Sequence, residues 1–133
     1  MTQKIPEKFL DLLTEKRAFA HLATVMSDGT PQVTPVWIDY DGQHILVNSA
    51  KGRLKDVNME ARPTVAVEIS DPENPYRFLS VRGTVTDITE DGADDHIDKL
   101  AKKYMGKDKY PNRKASEIRR IYTINVDKVF ANG

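Results

Sequence analysis

Apolar residues recur along the chain in six segments with strand-like character, and the alternation is clearest in TVAVEIS. The segments are 19–26, 31–40, 44–49, 64–70, 76–88 and 118–130. A two-residue alternation is typical of strands with one buried face. Asp41-Gly42, between the second and third segments, indicates a tight hairpin. We therefore predict six strands, the first three of which form an antiparallel meander.

Three further segments have the spacing of helices. Apolar residues three and four positions apart predict a helix over 6–16, a shorter one that is stopped by Pro63, and a third before a polar, lysine-rich loop at 105–116. The residues that carry these patterns are Phe9, Leu12 and Leu13, then Leu54, Val57 and Ala61, then Ile97, Leu100, Ala101 and Tyr104.

Closely spaced antiparallel strands with short helices between them do not fit a doubly wound parallel sheet. They predict a mainly β fold, a small six-stranded antiparallel barrel with helices across its gaps. Gly83 lies inside the long fifth strand, where we expect a kink or a bulge. The 133 residues contain no repeat or linker, so we expect a single domain over 1–133.

Composition narrows the possible partners. Twenty basic and twenty acidic residues cancel, which argues against a nucleic-acid partner. The chain has no cysteine, and no apolar run approaches the ~20 residues of a membrane span. We expect a cytoplasmic protein without a membrane partner.

A basic stretch, NSAKGRLKDVN, lies where the third strand meets the second helix. Lys51, Arg53 and Lys55 gather at a helix N-terminus, whose own dipole disfavours cations. A solvated loop is one reading. Gly52, which permits a tight turn with converging N–H groups, and the nearby Asn48 and Ser49 favour the other reading, a phosphate site.

Pro35 interrupts the second strand, so it should lie at an edge, at a bulge or against a ligand. Trp37, on the same face, either fills the barrel or contacts a ligand. In the loop ENPYRF, Tyr76 and Phe78 either begin a strand or reach a planar ligand.

The three histidines have no spacing typical of a metal pair. Asp94, Asp95, His96 and Asp98 are more simply an acidic first helical turn, and we predict no metal site.

The motifs "DG-P-Q", "PVW", "G-R-x-K-x-x-N" and "A-R-P-x-V-A-V" occur in this order, and together they resemble the split-barrel flavin and deazaflavin oxidoreductases related to pyridoxamine 5′-phosphate oxidase. The resemblance implies a six-stranded FMN-binding split barrel and a homodimer with cofactor sites at the subunit interface. It also implies a set of cofactor-binding residues: Thr34, Pro35, Val36, Asn48, Ser49, Lys51, Arg53, Lys55, Asn58, Tyr76 and Phe78.

Within that set, the resemblance assigns the phosphate to Arg53 and Lys55 and the ring to Thr34, Pro35 and Val36, while Tyr76 and Phe78 approach from the partner subunit. Among the branches of this family, the sequence most resembles the one whose members use coenzyme F420. This resemblance implies hydride transfer from reduced deazaflavin to a planar, electron-poor small-molecule acceptor. The alternatives are an FMN-dependent oxidase or reductase, and a protein that only stores a flavin, a deazaflavin or haem. No catalytic side chain is identified.

Overall fold

The computed structural model describes residues 2–133. Within them, a 3₁₀ turn at Glu7–Phe9 precedes three α-helices and seven strands. The helices are α1 (Asp11–Thr14), α2 (Leu54–Ala61) and α3 (Ala93–Met105). The strands are β1 (Ala20–Val25), β2 (Pro31–Val36), β3 (Ile38–Tyr40), β4 (His44–Ala50), β5 (Thr64–Asp71), β6 (Asn74–Thr89) and β7 (Arg119–Asn132).

All seven strands form one antiparallel sheet in the order β2-β1-β5-β6-β7-β4-β3. The two edge strands, β2 and β3, are consecutive in the chain and are joined only by Trp37. The sheet therefore curls until its edges meet at this one residue, which makes it a split barrel. The predicted mainly β, antiparallel split barrel is confirmed.

The strand count differs from the prediction because segment 31–40 is two strands. β2 pairs with β1, whereas β3 pairs with β4, so the predicted three-stranded meander is wrong. Pro35 has no N–H to donate and lies on an edge strand, as predicted. The Ile38 N–H donates to the Tyr104 hydroxyl at 3.2 Å rather than to a strand. The ladder changes partner at this point.

The barrel interior is a single apolar cluster that contains residues from both edges. Leu22, Ile38, Leu79 and Ile124 are among its fully buried members. The N-terminal segment contributes Phe9, Leu12 and Leu13, as the predicted apolar spacing indicates. That segment is a 3₁₀ turn followed by one helical turn instead of a continuous helix over 6–16.

The irregularity predicted near Gly83 is confirmed. The β6–β7 register shifts between Arg82 and Gly83. A Cβ atom on Gly83 would lie 2.6 Å from the Asn125 carbonyl oxygen, so only glycine allows this close approach.

The helices α2 and α3 are confirmed, but they bury different kinds of residue. Helix α3 turns its predicted apolar stripe inward and packs against β4 and β7. Helix α2 instead buries Asp56, Asn58 and Met59, while Leu54 and Val57 are about half exposed, at 46% and 50%. The apolar stripe that predicts α2 therefore faces outward. None of the helices in residues 2–133 has the length and apolar character needed to span a lipid bilayer.

Candidate cofactor cleft

A cleft of about 250 Å³ lies outside the barrel, between α3, the basic stretch and the point where β2 and β3 separate. One part of its lining is apolar and aromatic, and the other is cationic and polar. The lining residues are Phe19, Pro35, Val36, Trp37, Asn48, Arg53, Lys55, Ile97, Met105, Tyr110, Asn112 and Arg119.

The aromatic wall is built on Trp37. Its indole stacks on the Tyr104 ring, with centroids 5.2 Å apart and an interplanar angle of 4°, and meets Tyr110 edge-on at 5.9 Å. Tyr104 also donates a hydrogen bond to the Ala18 carbonyl at 2.8 Å, and burial raises its pKa to about 12. The expectation that Trp37 fills the barrel is wrong. The ring packs on α3 outside the barrel and forms a flat apolar surface within the cleft.

The cationic wall brings together Arg53, Lys55 and Arg119. Burial, followed by repulsion from Arg53 and Arg119, lowers the pKa of Lys55. Within residues 2–133, only Arg53 of the three has a carboxylate partner, since its Nη2 donates to Glu117 at 2.8 Å. Cations held together in a partly dry site repel one another. A bound anion offsets this repulsion, so such a site favours anion binding.

Arg119 is the most buried of the three cations. Its side chain is 93% buried, since only 7% of the residue is exposed, and its guanidinium lies 5.0 Å from the centroid of the Tyr110 ring. The Nη1 atom is shielded from water and has no hydrogen-bond partner within residues 2–133. A buried donor without a partner costs roughly 1–3 kcal/mol. An anion in the cleft is the kind of group that satisfies it.

The turn that carries the basic stretch is fixed from within. The Gly52 N–H donates to Asp56 Oδ2 at 2.9 Å, the Lys51 N–H to the Ile118 carbonyl and the Arg53 N–H to the Ala50 carbonyl. The expectation that N–H groups around Gly52 converge on an anion is therefore wrong, because all three are used inside the protein. Side chains, not this backbone, make the cationic wall.

Asp56 is the buried anchor of this turn. Besides Gly52 N–H, its carboxylate accepts hydrogen bonds from Tyr122 at 2.5 Å and from Arg120 at 3.1 Å. Burial opposes ionisation, but these three donors prevail and lower the pKa of Asp56. Burial, followed by the Asp56 carboxylate, raises the pKa of Tyr122. This cluster holds the start of α2, and hence Arg53 and Lys55, against β7.

The loop after α3 forms the outer rim of the cleft, and Asp98 attaches it. The Asp98 carboxylate accepts from the Tyr110 N–H and from Arg113 Nη2, both at 2.8 Å. The Tyr110 N–H is the main cause of the lowered pKa of Asp98. Tyr110 is thereby held against both Trp37 and Arg119.

Asn48 occupies the inner wall and is connected to two residues behind it. Its Nδ2 donates to the Ala93 carbonyl at 2.8 Å and lies 3.2 Å from His96 Nδ1. His96 Nε2 lies 3.1 Å from Asp39 Oδ2, which also accepts from Lys99 Nζ at 3.0 Å. Burial raises the pKa of Asp39, but the hydrogen bonds from His96, Lys99 and the Tyr40 N–H outweigh it and hold this pKa well below the usual range.

The structure brings five of the eleven predicted cofactor residues into the cleft lining. These are Pro35, Val36, Asn48, Arg53 and Lys55. Ser49 is 1% exposed and, like Thr34, has a buried hydroxyl oxygen that finds no partner in the described part of the chain. Lys51 is exposed and is not among the lining residues.

The remaining three lie elsewhere in this protomer. Asn58 is buried and donates to Thr24 Oγ1 at 3.0 Å and accepts from Arg62. Tyr76 is 80% exposed, and Phe78 packs against Phe130 with ring centroids 6.0 Å apart. A cofactor role for these residues stays a prediction, and for Tyr76 and Phe78 it requires a partner subunit.

Sequence reasoning missed Arg119 and Tyr110. Arg119 is paired with Ala50 in the β4–β7 ladder, so it lies beside the basic stretch despite its distance in sequence. Its position at the very start of the last strand was the available signal.

The acidic turn of α3 has partners of its own. Asp94 and Asp98 pair with Arg113, while His96 pairs with Asp39. Within residues 2–133, no group of three or more histidine, aspartate or glutamate side chains is arranged to hold a metal ion.

Comparison with known families adds a decisive observation. The family model described as pyridoxamine 5′-phosphate oxidase matches residues 5–133, nearly the whole chain. The chain belongs to this family. Its members bind FMN or similar flavins, include oxidoreductases and are commonly dimeric. No curated protein matches the chain.

Solved structures agree with the family and with the fold. A structure named F420 reductase is 36% identical, with a TM-score of 0.82, and the match covers 95% of this chain and 98% of that one. HupZ of Group A Streptococcus has a TM-score of 0.69 at 21% identity, covering 96% and 94%. General Stress Protein 26 of Bacillus anthracis has 0.63 at 17%, covering 88% and 85%. The last two show the fold alone.

The residues present fit a phosphorylated flavin-type cofactor. Arg119 Nη1, which has no partner among residues 2–133, and Lys55, which is repelled by Arg53 and Arg119, match a phosphate, and the flat wall at Trp37 matches a planar ring. The chain is thus a member of a flavin-binding oxidoreductase family with a cleft of suitable chemistry.

Proposed function

We propose that this protein is an oxidoreductase that uses coenzyme F420 and reduces a planar, electron-poor acceptor. The observation that carries the proposal is the cleft itself, which three cations and an aromatic wall line together. The 36% identity to a structure named F420 reductase supports the choice of deazaflavin over FMN.

In this proposal Arg53, Lys55 and Arg119 bind the cofactor phosphate. Arginine offers a planar fork of donors and lysine a point charge, and both suit phosphate oxygens. Pro35 and Val36 lie along the ring, at the edge of the sheet. The reduced deazaflavin supplies the hydride, while the protein binds, orients and shields. No side chain is assigned as a proton donor.

The functional unit in this proposal is a homodimer. Leu54 and Val57 form an exposed apolar face on α2, directly beside the cationic wall, and Val33 on the edge strand is 62% exposed. Apolar faces of this kind mark protein interfaces. Tyr76 and Phe78 would then reach the cofactor site of the partner subunit. Val57→Lys should convert a dimer to monomers in light scattering, whereas a monomeric wild type would contradict this part of the proposal.

Titration of the protein with coenzyme F420 and, separately, with FMN tests the cofactor. We expect the fluorescence of F420 to change on binding, with a dissociation constant at least about tenfold below that for FMN, which corresponds to 1.4 kcal/mol. Tight binding of FMN without binding of F420 would reject the deazaflavin assignment and leave the family unchanged.

A second measurement tests turnover. Reduced F420 is mixed with the protein and a planar, electron-poor acceptor such as a quinone, and oxidation is followed by absorbance. Faster oxidation than in the absence of protein supports the enzyme. Tight binding without acceptor-dependent oxidation, across a panel of such acceptors, would favour a storage protein.

A further inference from the structure

The side chains behind the cleft form a chain of hydrogen bonds with a defined direction. Asp39 can only accept while it is ionised, so His96 must present a proton on Nε2 to it across 3.1 Å. A neutral imidazole with a proton on Nε2 has an unprotonated Nδ1, which is an acceptor. That nitrogen faces Asn48 at 3.2 Å.

The acceptor on His96 fixes the orientation of the Asn48 amide. One hydrogen of the amide group Nδ2 points to His96 Nδ1 and the other to the Ala93 carbonyl, at 2.8 Å. Both donors are used behind the cleft. The reversed carboxamide would place Oδ1 against the lone pair of His96 Nδ1 and against the Ala93 oxygen, with no proton between them.

One atom of Asn48 is left over. Its Oδ1 is shielded from water and has no hydrogen-bond partner within residues 2–133, although the residue lines the cleft. A ligand bound against Asn48 in the cleft would supply the missing donor. The three cations that line the cleft can only donate, whereas Asn48 Oδ1 can only accept.

We propose that Asp39 and His96 are positioning residues that hold Asn48 Oδ1 as a hydrogen-bond acceptor, and that this acceptor selects a ligand with a neutral N–H donor on a planar ring. An imide N–H, flanked by two carbonyl groups in a pyrimidinedione ring, has this chemistry. The inference rests on the proposed function for the identity of the ligand, but not for the orientation of the amide. Asn48 contacts the ligand, whereas His96 and Asp39 act through it.

The orientation is tested without any ligand. In the ¹⁵N-labelled protein, long-range ¹H–¹⁵N correlation spectra should place the His96 ring proton on Nε2, with Nδ1 as an acceptor. In Asp39→Asn, where the anion is lost, the two nitrogen signals should shift. A proton on Nδ1 in the wild-type protein would overturn the proposal.

The selection is tested with FMN and its N3-methyl derivative, which lacks the imide proton. The wild-type protein should bind FMN at least about tenfold more tightly than the methylated compound, as expected for one buried hydrogen bond. In Asn48→Leu, which keeps the size of the side chain but has no acceptor, the ratio should fall towards one. Because the space at this position is conserved, the fall would report the lost acceptor and not a relieved clash.

His96→Phe distinguishes positioning from packing. Without the Nδ1 acceptor the amide is held by the Ala93 carbonyl alone, so the ratio should fall several-fold while the phosphate end is unaffected. His21→Phe is the matched control, because His21 pairs with Glu68 on the outer face of the sheet and is not among the cleft residues. A ratio that is unchanged in Asn48→Leu or in His96→Phe would overturn the proposal.

Failure here is distinguishable from failure of the proposed function. If neither FMN nor F420 binds the wild-type protein, the cofactor proposal fails, and the nitrogen spectrum alone supports or overturns the orientation of Asn48. If both bind but neither discriminates against loss of the imide proton, the acceptor role of Asn48 fails and the cofactor proposal stands.

Discussion

Lys55 and Asp56 are neighbours in α2, yet the groups around Asp56 stabilise its charge, whereas the groups around Lys55 repel its charge. The Asp56 carboxylate accepts hydrogen bonds from three donors, one of which is the Arg120 guanidinium. Lys55 lies among two further cations, Arg53 and Arg119, and has a lowered pKa. The first arrangement is complete in itself and stabilises the fold. Within residues 2–133, the second has one carboxylate partner, Glu117 on Arg53, for three cations, and this excess of positive charge suits an anionic ligand.

Asp56→Ala should produce the largest loss of stability. It leaves the Tyr122 hydroxyl and the Arg120 guanidinium without their shared acceptor, and removing one partner from a buried ionic cluster costs about 3–5 kcal/mol. Urea denaturation measures the free energy of unfolding. Glu60→Ala is the control, because Glu60 also pairs with Arg120 at 2.8 Å but is exposed, and it should cost much less. Equal losses would contradict the distinction between the two surroundings.

Arg119→Met should behave in the opposite way. It removes a cation but keeps an apolar stem of similar length under Tyr110, so stability should be unchanged or higher. The affinity for a phosphorylated flavin should fall by about 1.5–3 kcal/mol, the value of a hydrogen bond to a charged group. Calorimetric titration measures the affinity. A large loss of stability without a loss of affinity would show that Arg119 stabilises the fold and does not bind the cofactor.

Asp98→Asn should loosen the rim of the cleft while the barrel stays folded. Asp98 Oδ1 accepts from both the Tyr110 N–H and Arg113, and asparagine removes the negative charge that strengthens these two hydrogen bonds. We expect the Tyr110 amide to exchange its hydrogen at least about tenfold faster, since about 1.4 kcal/mol of local stability is lost. Hydrogen exchange measures this. Asp94→Asn, which removes an exposed partner of Arg113, is the control and should have little effect.

The pH dependence of stability should show a maximum in alkaline solution. Burial lowers the pKa of Lys103 from 10.5 to about 8, so the folded protein holds this proton less well and stability should rise as the pH increases from about 8 towards 10. Lys55 acts in the same direction. Tyr104, with its pKa raised from 10.0 to about 12, should reverse the trend above pH 10. One group changes the slope by at most about 1.4 kcal/mol per pH unit.

Thermal unfolding over pH 7–11.5 measures this profile. Lys103→Met should abolish much of the rise, and Lys102→Met, an exposed neighbour, should leave it in place. A stability that falls steadily above pH 8 in the wild-type protein would contradict the lowered pKa of Lys103.

Local patterns predicted most of the elements but not all of their neighbours. Alternation identified 31–40 as extended, yet it carries no information on where β2 leaves β1 and β3 joins β4. That change depends on Tyr104, which is distant in the chain and offers its hydroxyl to Ile38 N–H. Likewise, the apolar spacing of α2 predicted a helix correctly, but its burial is decided by Asp56 and its partners on β7.

The candidate site was predictable to the extent that it lies within one stretch. Arg53 and Lys55 follow from the electrostatics of a helix start. Arg119 does not, because it reaches them through the β4–β7 register, and neither does the use of Gly52 N–H by Asp56. The hydrogen bond from Asn58 in α2 to Thr24 in β1 does not follow from the local pattern either. Pairing between distant segments determines each of these outcomes.

The measurement that tests the central claim most directly compares cofactor affinity and stability in the double variant Arg53→Ala with Lys55→Ala. Affinity for coenzyme F420 should fall by several kcal/mol, at roughly 1.5–3 for each charge-assisted hydrogen bond. The free energy of unfolding should be unchanged or higher, because like charges have been removed. A folded double variant with wild-type affinity would contradict the account.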